Sequence, residues 1–239
     1  MSGAYVVGLL PKLLDGTLVT IELLVLSWII GNALAVGIAL ARVSRNRLLR
    51  APSWAYIQVI RGTPLLVQIY LFYYGLGSVF SHTPAIRHSI MWAYLRDGFW
   101  YAVVALGIST GAYAGEILRG AIGAVPVGEV EAARSLGLRW RHVTWLIVLP
   151  RAIQTCLPAL GGETILLLKS TALASTVTVL DVMGQANFAR AQSLRVYEPL
   201  LSAAVVYILL TIGITRAFAV VEARLNRGRG LVVQARHRD

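Results

Sequence analysis

Residues 131–150 read Glu-Ala-Ala-Arg-Ser-Leu-Gly-Leu-Arg-Trp-Arg-His-Val-Thr-Trp-Leu-Ile-Val-Leu-Pro. Arg134, Ser135, Arg139, Arg141 and His142 make a short polar stretch between long apolar runs. A segment this charged lies outside lipid, because a charged side chain at mid-bilayer costs ~2.5–3.5 kcal/mol on insertion scales. Glu131, Ala132 and Ala133 sit on a short helix, and two alanines let another surface approach closely. Gly137 permits the positive-φ turn that ends such a helix. Pro150 suits the first turn of the next helix, where its missing N–H is not needed. On physics alone this is either a helix that docks a partner or an ordinary surface helix between spans.

Outward from that segment the chain is apolar. Its 239 residues are 57% hydrophobic and 14% charged, with a mean hydropathy of +0.68. A soluble domain carries about 25% charged residues, so composition points to a membrane protein. The net charge of +11 does not imply nucleic acid. The arginines cluster beside apolar runs, as they do in cytoplasmic membrane loops, and no nucleic-acid motif is present. Cys156 is the single cysteine, so no disulfide forms within the chain.

Five spans can be drawn at residues 17–41, 64–80, 99–118, 152–172 and 199–220, each near the ~20 residues a spanning helix needs. Residues 3–14 read as a short interfacial helix. The first span is not a signal peptide, since its positive charges follow the apolar run. Arg42, Arg45, Arg47, Arg50 and Arg61 follow span one, and Arg119, Arg134, Arg139, Arg141 and Arg151 follow span three. The tail, residues 222–239, carries Arg224, Arg227, Arg229, Arg236 and Arg238. The alternate loops hold only Arg87 and Arg96, and Arg190 and Arg195. The positive-inside rule then places the N-terminus outside and the C-terminus in the cytoplasm, with residues 120–150 on the cytoplasmic face. The chain reads as a single membrane domain, 1–239, without internal repeats.

Glu-Ala-Ala at 131–133, Gly137 after three intervening residues, and Ile147-x-Leu149-Pro150 after nine more resemble the coupling loop of bacterial ATP-binding-cassette (ABC) importer permeases. Further blocks resemble permeases for polar amino acids. They are Arg61-Gly62-Thr63-Pro64 with Leu65, Leu66 and Gln68; Ala112-Tyr113-x-x-Glu116-x-x-Arg119-Gly120-Ala121 running into Pro126; and Lys169-Ser170-Thr171-Ala172-Leu173. Together they cover residues 61–173. Within that group the chain looks most like subunits of histidine, arginine and opine importers. The resemblance implies an all-α, five-span type I importer permease in the bacterial inner membrane. Its cytoplasmic coupling helix would hold Glu131, Ala132, Ala133 and Gly137. It implies a second permease, identical or homologous, and two ATP-binding subunits that bind ATP and Mg. It also implies an extracytoplasmic amino-acid-binding protein, and a polar, basic amino acid or opine as substrate.

Glu163 is the sharpest substrate candidate. It lies 13 residues past Pro150, roughly 20 Å into the membrane, where an acid faces a cavity or a partner. Gly161 and Gly162 precede it, and paired glycines can break a helix as transporter sites often do. The resemblance implies that an acid here takes the cationic group of a basic amino acid. The alternative is a salt bridge, to Lys169 or to a second subunit. Lys169, ~9 Å further outward, either holds a substrate carboxylate or snorkels to the interface. Gln68 is a candidate for the same cavity. Glu116 and Arg119, at i and i+3, read as a structural ion pair or a gate. Asp181, Arg190 and Glu198 read as outer loop charges, meeting the binding protein or simply solvated. The small residues of span one (Gly31, Ala33, Ala35, Gly37, Ala39) suggest close helix packing.

The chain has no phosphate-binding loop around Lys12 or Lys169, its two lysines, so it is not expected to hydrolyse ATP itself. Nor does it carry a metal-binding spacing of His82, His88, His142 and His237, a nucleophile elbow, or a cofactor motif. Two rival classes remain: an ATP-independent channel, which would not need the 131–150 pattern, and an intramembrane enzyme using Glu163 and Lys169 as acid and base.

Overall fold

The computed structural model describes residues 3–226, and every regular element in it is helical. Helix α1 runs from Gly3 to Val43. At 1.5 Å per residue it is roughly 60 Å long, twice the hydrocarbon core. The separate interfacial helix expected over residues 3–14 is therefore absent; it is continuous with span one, and Pro11 is carried inside the helix.

The second correction concerns residues 47–62, read above as a loop. They form α2 (Arg47–Gly62), whose N-cap Asn46 accepts from the Leu48 N–H at 2.9 Å. Thr63 and Pro64 end it, and the chain turns by 103° into the segment Leu65–His82. That segment comprises α3 (Leu65–Tyr70), one π turn (Leu71–Leu76) and α4 (Gly77–His82). Pro64 has no N–H to give the Ile60 carbonyl. The Gln68 amide supplies the missing donor, reaching Ile60 O at 2.8 Å, Thr63 O at 3.2 Å and Thr63 Oγ1 at 2.9 Å.

Two single-turn helices, α5 (Pro84–Arg87) and α6 (Trp92–Leu95), lead to α7 (Gly98–Gly123), N-capped by Asp97. Next come α8 (Val127–Ser135), α9 (Trp140–Val143), a π turn (Thr144–Val148) and α10 (Leu149–Thr171). Pro150 cannot donate to the Leu146 carbonyl, and just before it the ladder widens so that the Leu149 N–H reaches Thr144 O. Span four is thus helical from Trp140 and is not interrupted at Gly161–Gly162. Gly161 instead makes room for the Phe218 ring, 3.1 Å from where a Cβ would stand. The break comes at the far end, in a 3-10 segment (Ala172–Val177) and left-handed Thr178. Helices α11 (Val182–Ser193) and α12 (Tyr197–Asn226) complete the described chain. The arginines expected in the tail beyond residue 226 lie outside it.

Contacts give the direction of each pass. Gly107, Gly111 and Gly115 of α7 face Ile30, Leu34 and Ile38 of α1 in that order, so α1 and α7 run parallel. Helix α10 runs against α1: Ala39 packs with Ala152 and Cys156, and Leu24 with Leu167 and Leu168. Helix α12 runs with α1, since Ala203 packs beside Leu9 and Leu13 and Ile214 beside Leu24. Among the described residues four helices are long and apolar enough to cross a bilayer, and the bent pair of α2 and the segment Leu65–His82 brings the number to five when counted as one span. Alternation puts the ends of α1 and α7, the start of α10 and all of α8 at one end of the bundle.

Asp181 is a third correction. It is not a wet loop charge but fully buried. It caps α11 by accepting from the Gly184 N–H at 2.8 Å, and it also accepts from the Tyr207 hydroxyl at 3.1 Å. Thr20 accepts from the adjacent Val182 N–H at 3.1 Å. One buried carboxylate thus ties α11 to α12, with α1 alongside.

Candidate functional site

Two sets of residues stand out, one at the end of the bundle and one inside it. At the end, α8 lies on a small core of Ala133, Val143 and Val148, with Val130 and Ile147 packed around it. Ala133 is 3% exposed, while Glu131, Ala132, Arg134 and Ser135 face outward. Gly137 has φ +80°. Its N–H reaches Arg134 O at 2.9 Å and the Leu138 N–H reaches Ala133 O at 3.3 Å, the paired bonds of a Schellman stop. Around this polar surface stand apolar side chains left open: Val127 at 68%, Leu136 at 82% and Trp140 at 61% exposure. Apolar exposure rimmed by charge is found at contact sites for other proteins and for membranes.

A feature that sequence reading passed over fixes α8 to span four. Arg151 donates from Nε to Glu129 Oε2 at 3.0 Å and from Nη2 to Oε1 at 2.7 Å. The two-pronged arrangement is the strong form of an ion pair. Its only sequence signal is the opposite charges bracketing the 131–150 segment. Arg151→Glu is expected to lower the melting temperature of the purified protein by about 2–4 °C, the value for ~1 kcal/mol in a chain of this size. The exchanged pair E129R/R151E should recover most of that loss. Non-recovery in a double-mutant cycle would show that the pair carries no coupling.

Inside the bundle, Glu163 is half-buried on α10. Among the described residues it makes no ion pair within 4.0 Å, so the salt bridge to Lys169 weighed above is not formed. Beside it, the Trp28 indole N–H donates to Thr164 Oγ1 at 3.0 Å, fixing α10 against α1. Gly162 faces open space. Arg61, at the end of α2, lies within electrostatic reach of Glu163, with its guanidinium 5.0 Å from the Tyr113 ring centre. Lys169 is exposed in the last turn of α10. Gln68 is 5% exposed; its amide nitrogen serves the backbone bend, and its oxygen is buried without a partner.

Glu116 and Arg119 do meet, Oε1 to Nη2 at 2.6 Å, and Arg42 approaches the other carboxylate oxygen at 3.9 Å. Among the described residues no three His, Cys, Asp or Glu side chains cluster as metal ligands. A surface cavity of about 380 Å³ opens beside Tyr5, Leu9, Lys12, Gln192 and Ser193. It lies roughly 24 Å along α1 from Trp28 and is separate from Glu163.

The profile of binding-protein-dependent transport system inner membrane components matches residues 33–227. The octopine transport system permease protein OccM of Rhizobium radiobacter is 43% identical over 210 residues, 88% of this chain and 84% of that protein. The histidine/lysine/arginine/ornithine transport system permease protein HisM of Escherichia coli K12 is 38% identical, with 87% of each chain covered. Among solved structures, an amino acid ABC transporter crystallised with histidines superposes with a TM-score of 0.79 at 34% identity, covering 94% of this chain and 99% of its own.

Proposed function

Because the chain belongs to the family of binding-protein-dependent transport system inner membrane components, we propose that it is the permease subunit of an ABC importer for basic amino acids or opines. The observation that carries the substrate class is Glu163, an acid inside the bundle with no basic group bonded to it among the described residues. A carboxylate held there away from bulk water selects a cationic ligand. The relatives transport octopine and the histidine–lysine–arginine–ornithine group, compounds that carry such cations.

The assembly has a second permease, identical or homologous, two ATPase subunits that hold MgATP, and an extracytoplasmic binding protein that delivers the substrate. The chain sits in the inner membrane with α8 on the cytoplasmic side, the placement that its arginine distribution supports. The ATPases seat on α8 and the turn that follows it, where Glu131, Ala132, Leu136 and Trp140 are open. Movement of α8 passes through Glu129 and Arg151 to α10. Glu163 lies 12 residues along that helix, roughly 18 Å away. ATP binding shifts the permease only so far as the ATPases bind its two states with different affinity.

Gly137 provides the test. A non-glycine residue at its φ costs about 1–2 kcal/mol, less for Asn, and among the described residues a Cβ built there faces open space. In proteoliposomes, Gly137→Val is expected to lower substrate-stimulated ATP hydrolysis about tenfold, whereas Gly137→Asn stays near the wild type. Full coupling in Gly137→Val would remove α8 from the drive.

A further inference from the structure

A basic amino acid brings a carboxylate as well as a cation, and a carboxylate entering the bundle needs its own counter-charge. Four cations come into question. Arg119 is bonded to Glu116, and Arg42 faces the same acid. Lys169 stands six residues beyond Glu163, ~9 Å toward the other end of α10, and is not among the charges that act on Glu163. Arg61 remains.

Three features set Arg61 apart. Among the described residues its guanidinium has no carboxylate within 4.0 Å, yet it acts on both Glu163 and Glu116. It is exposed, held over the Tyr113 ring at 5.0 Å, a contact that orients the planar group while leaving its N–H donors unused. And it is anchored at the last turn of α2, directly before the bend that Gln68 clamps. Arg61 and Glu163 are thus opposite charges that reach one another without touching. A zwitterion offers a matching charge to each.

We propose that Arg61 is the receptor for the substrate carboxylate, binding it through its forked N–H donors while Glu163 takes the cationic end. Recognition at two points makes the site specific for amino acids rather than for cations at large. This rests on the importer reading above and adds the residue that distinguishes an amino acid from an amine or an amide.

The test uses the assembled transporter in nanodiscs without its binding protein, so that only the membrane site is read. Binding of L-arginine is compared with that of L-argininamide, which lacks the carboxylate. Wild-type transporter should prefer arginine. R61Q should weaken arginine binding at least about tenfold and leave argininamide unchanged, which removes the preference. R61K keeps the charge but loses the fork, and should show a smaller loss, again confined to arginine. It serves as the reading where R61Q does not assemble. Equal weakening of both ligands, or of neither, overturns the assignment. A wild-type complex that binds arginine but prefers the amide overturns it too, while leaving Glu163 in place. A wild-type complex that binds neither ligand sinks the basic-amino-acid reading itself, and this proposal with it.

Discussion

Glu163→Gln in the reconstituted importer is expected to lower uptake of arginine about 100-fold, while that of citrulline, nearly isosteric but neutral, should change by no more than about twofold. The substitution keeps size and removes charge. Glu163 is the only acid on α10, and among the described residues no cation is bonded to it. Unpairing a desolvated charged contact costs ~2–5 kcal/mol, and 100-fold lies near the lower end of that range. The neutral ligand has no cation to lose, so its uptake reports whether the protein still folds and couples. Initial rates for both ligands, at matched occupancy of the binding protein, are the measurement. Equal loss for the two would make Glu163 a support for the bundle or for the second permease, and the site would have to be sought elsewhere.

What the sequence revealed and what it hid divide along a physical line. The α8 segment was legible because its determinants are local: two alanines, a glycine at the left-handed stop and a proline at the next helix fix the backbone without reference to the rest of the fold. Helix α2 was missed because Arg47, Arg50 and Arg61 were weighed for charge alone. Its signal was Asn46, a good N-cap, ahead of a mixed apolar and basic run. The Gly161–Gly162 pair was read as a break, yet α10 continues through it, because Phe218 arrives from α12 to use the space. Nothing local foretells that partner. Asp181 fails for the same reason: an acid at a helix start is either a solvated cap or a buried one, and only Tyr207, 26 residues away, decides. Close packing was expected from the small residues of span one, and Gly31 does meet α7, since a Cβ there would stand 2.6 Å from Thr110; the row of glycines across the seam on α7 was not noticed. Their spacing, Gly107, Gly111 and Gly115, was readable and is the pattern by which membrane helices approach closely.

That seam carries the other large expected effect. Gly111→Leu should leave no stable permease to extract, because the space it needs is already filled. A Cβ at Gly111 would stand 3.0 Å from Leu34 Cβ and 3.1 Å from the Tyr56 hydroxyl. That hydroxyl is itself bonded to the Ile108 carbonyl at 2.5 Å, so it cannot retreat without abandoning an acceptor in the bundle. One turn to either side the row is equally close, since a Cβ at Gly107 would stand 2.9 Å from Ile30 and one at Gly115 3.1 Å from Ile38, so the helix has little room to roll and relieve the clash. A single added methyl in such a place costs ~1–3 kcal/mol, so Gly111→Ala should survive with a lowered melting temperature. A leucine pushes α1 and α7 apart along the whole row and loosens what packs behind them, including Leu24 and Leu106 against Leu168. Gly37→Leu is the control, since a Cβ there faces open space among the described residues. Extraction yield and fluorescence-detected melting of the three variants give the result. Were Gly111→Leu as abundant and as heat-resistant as Gly37→Leu, α1 and α7 would be held by something other than contact along this row. The directions of the passes that those contacts establish would then lose their basis.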